Sequence, residues 1–158
     1  MKRRSLPYST QSIGEDDVRS VAKALRSAWL TQGPAVEEFE RRFARSVGAK
    51  FAVALSSGTA ALHAACFAAG LGPGDEAVVP PITFVATANA VLYAGATPVF
   101  ADVDPETALL AHKAFLARVT RKTRAVLPVD YAGHPSALDQ ISRIARRHGL
   151  VVIEDAAH

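Results

Sequence analysis

The sequence has 158 residues, of which 49% are hydrophobic, and its 18 basic and 15 acidic side chains give a formal net charge of +3. This composition is typical of a folded globular protein and excludes a disordered chain. The single cysteine, Cys66, excludes a disulfide framework and a multi-cysteine metal site. We expect no bound metal.

No apolar run approaches the roughly 18 residues that a membrane helix needs, and the start of the chain lacks the apolar stretch of a signal peptide. The basic residues lie in small scattered groups, mostly in the last turns of predicted helices. This distribution favours solvated helix ends over a nucleic-acid surface, with a polyanion site as the alternative. We therefore expect a cytoplasmic protein that binds neither nucleic acid nor membrane.

The first 48 residues are predicted to form a helical segment. Ser12-Ile-Gly-Glu15 is typical of a capping box, and apolar residues at helical spacing follow it up to Leu25. A second helix has an apolar stripe from Val36 to Val47 and is expected to end at Gly48.

From residue 49 to residue 158, short apolar stretches alternate with helical patterns. Ser136-Ala-Leu-Asp139 is expected to open the last helix, which Gly149 closes. This alternation predicts an α/β domain with a mostly parallel sheet and helices on both of its faces. The predicted strands are 51–55, 76–79, 97–103, 124–129 and 150–153.

Three places in the second segment carry residues suited to chemistry. Ser56-Ser-Gly-Thr59 joins a predicted strand to a helix, where a phosphate could meet free amides, although an ordinary N-cap explains it equally well. Asp155 follows the last apolar strand and would face a cation, a ligand or solvent. Phe84 follows a stiff Pro80-Pro81 turn and, taken alone, is more often a core residue than a stacking platform.

Together, these residues and their surroundings resemble the DegT/DnrJ/EryC1/StrS family of sugar aminotransferases, which use pyridoxal phosphate on the type I aminotransferase fold. The resemblance covers almost the whole chain and matches the first part of the family's large domain. The matching stretches, in chain order, are Pro7-Tyr-Ser, Ser27-Ala-Trp-Leu-Thr-Gln-Gly33-Pro, Ser56-Ser-Gly-Thr-Ala-Ala-Leu-His63, Gly72-Pro-Gly-Asp-Glu76, Pro81-Ile-Thr-Phe-Val-Ala-Thr-Ala-Asn89, Gly95-Ala-Thr-Pro-Val-Phe-Ala-Asp102 and Glu154-Asp-Ala-Ala-His158.

The resemblance implies a role for each candidate residue. Ser57, Gly58 and Thr59 would hold the cofactor phosphate, and Phe84 would stack on the pyridine ring. Asp155 would pair with the ring nitrogen and keep it protonated. Further expected contacts are His158, beside the ring hydroxyl, and the sugar-nucleotide contacts Tyr8, Ala28, Trp29, Leu30 and Thr31, where helix-end packing is an equal alternative for Trp29.

The resemblance also implies what this chain lacks. The family's catalytic lysine, which binds the cofactor covalently, follows the Glu154–His158 stretch and would lie beyond residue 158, so we expect no catalytic residue in these 158 residues. The chain is accordingly expected to be an N-terminal portion of a larger protein, inactive by itself.

The expected activity of the larger protein is also taken from the resemblance. The chain is most similar to the transaminases of pseudaminic acid synthesis, which transfer an amino group from glutamate to C4 of a UDP-linked 4-keto-6-deoxy-N-acetylhexosamine, and a homodimer is expected. Two alternatives remain open: a sugar dehydratase of the same family, in which histidine replaces the lysine, and a non-catalytic remnant.

Overall fold

The computed structural model describes residues 10–157, which fall into two compact units that divide between Ala54 and Leu55. No helix in this part of the chain is long and apolar enough to cross a membrane. The helices are α1 (Glu15–Leu25), α2 (Pro34–Ser46), α3 (Gly58–Ala68), α4 (Ala86–Tyr93), α5 (His112–Arg118) and α6 (Leu138–His148). The strands are β1 (Glu76–Val79), β2 (Thr97–Phe100), β3 (Thr123–Val126) and β4 (Val151–Val152).

The first unit contains α1 and α2, close to the predicted helices, but α1 does not begin as expected. Gly14, and not Ser12, is the N-cap, and its backbone N–H donates to Oδ2 of Asp17 at 2.8 Å. The start is shifted by two residues because Asp17, at the third helical position, supplies the carboxylate that accepts from the N-cap N–H, and negative charge in the first turn is favourable.

The predicted strand at 51–55 is wrong for this structure, since these residues have no regular secondary structure. Their short apolar run is typical of a buried strand, but a strand also needs a neighbour to pair with its backbone N–H and C=O groups. Within residues 10–157, none pairs with this stretch as a strand, and the Ala54 N–H donates to the Glu40 side chain instead, at 2.7 Å. Phe51 and Val53 remain about three-quarters exposed, at 76% and 74%.

The second unit is built on a four-stranded parallel sheet in the order β2-β1-β3-β4. Because the chain leaves β1 for one edge and then crosses back past it to β3, successive crossovers of the same hand place their helices on opposite faces. The β1–β3 boundary is therefore the point at which the strand order reverses. In α/β sheets, ligands bind at the carboxyl ends of the strands at such a point.

Alternate residues of the two central strands supply two separate cores. Ala77, Val79 and Ala125 face α3 and α4, in a core that includes Leu62, Cys66, Ala90 and Val91. Val78 and Val126 face α5 and α6, in a core with Phe115, Ile141 and Ala145. Because both faces are covered, the carboxyl-terminal residues of both strands, Ala77–Val79 and Ala125–Val126, are apolar and fully buried, and the predicted α/β architecture is confirmed.

The last helix begins within the predicted opening stretch, Ser136–Asp139, and Ser136 bonds to the preceding loop. The helix begins at Leu138, and the buried Ser136 hydroxyl donates to the Val129 carbonyl at 2.9 Å. The Ser136 N–H in turn donates to Oδ1 of Asp130 at 2.8 Å. Ser136 thus ties the loop after β3 to the end of that strand, because its hydroxyl must find an acceptor once it is buried.

Candidate functional site

Asp155 is placed at the carboxyl edge of the sheet by backbone pairing beyond β3 and β4. Its N–H donates to the Pro128 carbonyl at 2.9 Å, and its own carbonyl accepts from the Asp130 N–H at 3.0 Å. These bonds continue the parallel ladder as an isolated bridge between Val129 and Asp155. The backbone at Asp155 is therefore fixed, although β4 itself is only two residues long.

The Asp155 side chain is buried, with 7% of the residue exposed. Oδ2 accepts from the Thr87 hydroxyl at 2.6 Å, and Oδ1 accepts from the Ala157 N–H at 3.3 Å. Nothing cationic forms an ion pair with this carboxylate in the described part of the chain. A buried carboxylate without a counter-charge is costly, so this edge of the sheet is suited to a cationic ligand group.

Thr87 is joined to a second threonine four residues earlier, Thr83, in the turn before α4. The Oγ1 atoms of Thr83 and Thr87 lie 2.6 Å apart, and the Phe84 carbonyl lies 3.2 Å from Oγ1 of Thr87. A hydroxyl has one proton to donate. The shorter contact and the charge on Asp155 direct the Thr87 proton to the carboxylate, which leaves Thr83 to donate to Thr87.

The N-terminus of α3 lies against the segment that follows Asp155. Ser57 is the N-cap, and its hydroxyl oxygen accepts from the Ala60 N–H at 3.2 Å. A Cβ added at Gly58 would lie 3.2 Å from the Ala157 Cβ, which is an unusually close approach. The N–H groups of Gly58 and Thr59 belong to the first turn, where no intrahelical acceptor exists, and both residues are exposed. The start of α3 can therefore offer two amides to an anion.

Phe84 lies in the turn between β1 and α4, three residues before Thr87, and is 67% exposed. A large aromatic side chain left exposed in the turn that leads to Thr87 is suited to packing on a flat ligand. The Thr87 backbone N–H donates to the Phe84 carbonyl at 3.2 Å while its hydroxyl donates to Asp155, and Ala157 connects Asp155 to Gly58. The structure brings Gly58, Phe84 and Asp155 into one neighbourhood.

The other predicted site residues belong to different parts of the chain. Tyr8 and His158 lie outside the described residues. The stretch from Ala28 to Thr31 is in the first unit, between α1 and α2, with Trp29 and Leu30 about two-thirds exposed. The Trp29 carbonyl would lie 2.9 Å from a Cβ added at Gly33, so glycine permits this close backbone approach.

Sequence reasoning missed Thr87 and Ala157. Thr87 lies in a mostly apolar helix, where one threonine looks like a core residue. The available signal was a second threonine four residues earlier, in the turn before the helix, in a sheet where a carboxylate follows the last strand. Ala157 gave no signal, because its backbone N–H and its methyl group make contacts that no sequence pattern marks.

Cys66 is not a candidate nucleophile. It is fully buried in α3, and burial raises the pKa of its thiol to about 11. A thiol of this kind is almost entirely protonated near neutral pH and is out of reach of a substrate.

Comparison with known proteins identifies relatives over nearly the whole chain. A family model described as the DegT/DnrJ/EryC1/StrS aminotransferase family matches residues 11–158. The spore coat polysaccharide biosynthesis protein SpsC of Bacillus subtilis (strain 168) is 49% identical over 153 residues, which cover 97% of this chain and 39% of that protein.

Solved aminotransferase structures are also similar to nearly the whole chain. An aminotransferase from Psychrobacter cryohalolentis has a TM-score of 0.86 and 37% identity, over 94% of this chain and 38% of its own. The PLP form of a Streptococcus pneumoniae protein named as a sugar aminotransferase has a TM-score of 0.90 and 29% identity, over 98% of this chain and 43% of its own. The predicted type I aminotransferase fold is thereby confirmed. The chain spans about two fifths of the length of these relatives.

Proposed function

Because the chain belongs to the DegT/DnrJ/EryC1/StrS aminotransferase family, we propose that its protein is a pyridoxal-phosphate-dependent sugar aminotransferase. The proposed reaction moves an amino group from glutamate to C4 of a UDP-linked 4-keto-6-deoxy-N-acetylhexosamine, as in pseudaminic acid synthesis. A relative named for polysaccharide biosynthesis and a neighbour named as a sugar aminotransferase support the sugar substrate class. We place the enzyme in the cytoplasm, as a homodimer.

The observation that carries the proposal is the buried Asp155 carboxylate, held by hydroxyl and amide donors beside a helix N-terminus. Pyridoxal phosphate carries a phosphate and a ring nitrogen that accepts a proton. The residues present fit both groups: the first-turn amides of α3 suit the anion, and the buried Asp155 carboxylate, which has no ion pair within residues 10–157, suits the cation. Gly58 fits as well, because any larger residue would crowd Ala157.

When bound, the cofactor supplies an electron sink for the carbanion that forms as the amino group is transferred. The chain's own residues bind and orient it. The Asp155 carboxylate holds a proton on the ring nitrogen by accepting from it, since an ionised carboxylate favours a nearby positive charge. Gly58 and Thr59 donate backbone N–H groups to the phosphate, the Ser57 hydroxyl secures the turn that presents them, and the Phe84 ring packs on one ring face.

The remaining expected residues are proposals of the same kind. His158 would contact the ring hydroxyl. Tyr8 and the stretch Ala28–Thr31 would contact the sugar nucleotide, with the Trp29 indole offering an exposed aromatic face. The lysine that binds the cofactor would be supplied by residues after 158.

The test is Asp155→Asn in the full-length protein, measured by cofactor absorbance and by formation of the amino sugar from the UDP-keto sugar and glutamate. Asparagine keeps the size of the side chain but loses the negative charge, so turnover should fall by about 100-fold or more, the scale of losing one preorganised electrostatic group. Asp139→Asn, at an exposed position in the first turn of α6, is the matched control and should leave turnover unchanged. Retained turnover in Asp155→Asn would refute the role of Asp155.

A further inference from the structure

We propose that Thr87, supported by Thr83, is the positioning residue that holds the Asp155 carboxylate in the orientation needed to meet the cofactor nitrogen. The inference rests on the proposed function, because it assigns a reason to a contact at that site. It concerns Thr87 of α4 and Thr83 of the turn before that helix.

The first argument is the arrangement of the three side chains. Thr87 is fully buried, and its hydroxyl reaches across 68 positions of sequence to Oδ2 of Asp155 at 2.6 Å. The second carboxylate oxygen has a longer contact, 3.3 Å, to the Ala157 N–H. A short bond to a charged acceptor is the stronger of the two, so Thr87 contributes most to fixing the side-chain rotamer of Asp155.

The second argument is the cost of a buried hydroxyl. The neighbours of Thr87 on α4 are Ala86, Ala90 and Val91, all buried in the same apolar core. Valine has nearly the same shape and would pack there without a polar atom, whereas a hydroxyl in that core is costly unless it is hydrogen-bonded. The cost of burying this hydroxyl is offset because it donates to Asp155 and accepts from Thr83. No buried side-chain N or O atom among residues 10–157 lacks a partner.

The third argument is the direction of the chain of hydrogen bonds. Thr83 is half-buried and donates to Thr87, which donates to Asp155, so each hydroxyl is fixed by the next. Successive hydrogen bonds of this kind polarise and strengthen one another. Thr83 therefore limits rotation of the Thr87 hydroxyl and keeps its proton directed at the carboxylate.

The test uses the full-length protein with pyridoxal phosphate labelled with ¹⁵N in its ring. Thr87→Val removes the donor and keeps the shape, while Thr87→Ser keeps the donor. We expect the cofactor dissociation constant of Thr87→Val to rise by about tenfold or more, the scale of one hydrogen bond to a charged group. We also expect the ¹⁵N resonance of the ring nitrogen to move toward its unprotonated position. Thr87→Ser should restore both values to near those of the parent.

Thr123→Val is the matched control, because Thr123 is also buried and its hydroxyl oxygen accepts from the Thr120 N–H at 2.8 Å. Thr123 begins β3 and so lies at the amino end of the sheet, away from Asp155. Loss of its hydroxyl should lower thermal stability without changing the cofactor affinity or the ¹⁵N resonance. If Thr87 has a purely structural role, Thr87→Val should also lose thermal stability without a change in cofactor affinity or ¹⁵N resonance. That result would overturn the inference.

The outcomes separate the inference from the proposed function. A parent protein that binds no pyridoxal phosphate overturns both, whereas a parent that binds it and a Thr87→Val variant that binds it equally well overturn only the inference. If Thr87→Val does not fold, Thr83→Val decides, since it leaves Thr87 in place. In Thr83→Val, a smaller rise in the cofactor dissociation constant and a smaller movement of the ¹⁵N resonance would support the inference. If neither changes, the inference is contradicted.

Discussion

At the scale of single residues, two adjacent carboxylates at the sheet edge have opposite environments. Asp155 is buried and accepts from a hydroxyl and an amide, whereas Glu154 is exposed and faces the side chain of Asp130. Side chains of consecutive residues in an extended segment point to opposite sides, which places the two acids in these different surroundings. Desolvation, a hydrogen bond to Asp130 and the charge of Asp130, in that order, raise the pKa of Glu154.

The raised pKa of Glu154 gives a pH-dependent stability. The folded state holds this proton more tightly than the unfolded state, whose ordinary value is 4.5. The contribution is therefore fully present below pH 4.5 and is lost as the pH rises through the folded-state pKa. Glu154→Gln removes the titration, so the parent should lose stability relative to the variant over that interval in urea unfolding at a series of pH values.

Asp130→Asn is the companion variant for this experiment. Its side-chain oxygen can still accept from the Ser136 N–H, but the negative charge next to Glu154 is gone. The interval over which Glu154 affects stability should narrow toward pH 4.5. Identical pH profiles for the parent and Glu154→Gln would show that the Glu154–Asp130 contact has no effect on folding.

At the scale of elements, the approach of α3 to the segment after Asp155 depends on a glycine. In Gly58→Ala the new methyl group would lie 3.2 Å from the Ala157 Cβ, so Ala157 must move, and its N–H is a donor to Asp155. Alanine is otherwise the better helix former, so we expect a change in unfolding free energy within about 1 kcal/mol. The cofactor dissociation constant should nevertheless rise by about tenfold, because the Asp155 carboxylate is disturbed.

Gly72→Ala is the matched control for this substitution. A Cβ at Gly72 has nothing within 4 Å, and the backbone N–H that donates to Asp75 is kept. Cofactor titration of both variants should therefore separate the effect of crowding from that of replacing any glycine by alanine. Parent-like affinity in Gly58→Ala would mean that Ala157 gives way without disturbing Asp155.

The helices and most strands could be predicted from sequence because their apolar periodicity matches what each element buries. The glycine stop after α6 is one example: Gly149 has φ of 65°, in the left-handed region that glycine adopts most readily. The prediction failed where the structure depends on a partner. The 51–55 stretch has the apolar pattern of a strand but no neighbouring strand in residues 10–157, and Gly14 is the N-cap of α1 in place of the expected Ser12.

At the scale of the whole second unit, the candidate site depends on long-range placement that periodicity cannot supply. Sequence patterns predicted that Phe84 and Asp155 each follow a strand, and parallel strands have their carboxyl ends on one edge. The strand order that puts these ends beside the start of α3 follows from packing and not from any local pattern. Thr87 escaped prediction for the same reason, since its acceptor is 68 residues away.

The sheet also separates the site from one of its two cores, which gives a prediction for the unit as a whole. Phe115 is fully buried against Val78, Val126 and Ile141, on the face of the sheet opposite to α3 and α4. Phe115→Ala should lower the unfolding free energy by about 3–5 kcal/mol, through lost burial and the cavity left behind. Phe115→Leu keeps most of the volume and should cost less than about 1.5 kcal/mol.

Substitutions on opposite sides of a packed sheet act independently when they share no partner. Thr87 and Gly58 belong to the α3–α4 side, so Phe115→Leu should leave the cofactor dissociation constant within about twofold of the parent, while Thr87→Val changes it. Urea unfolding and cofactor titration on the same samples measure both quantities. A large loss of affinity in Phe115→Leu would mean that the two cores are coupled through the sheet, and the carboxyl edge would then be positioned by both of them.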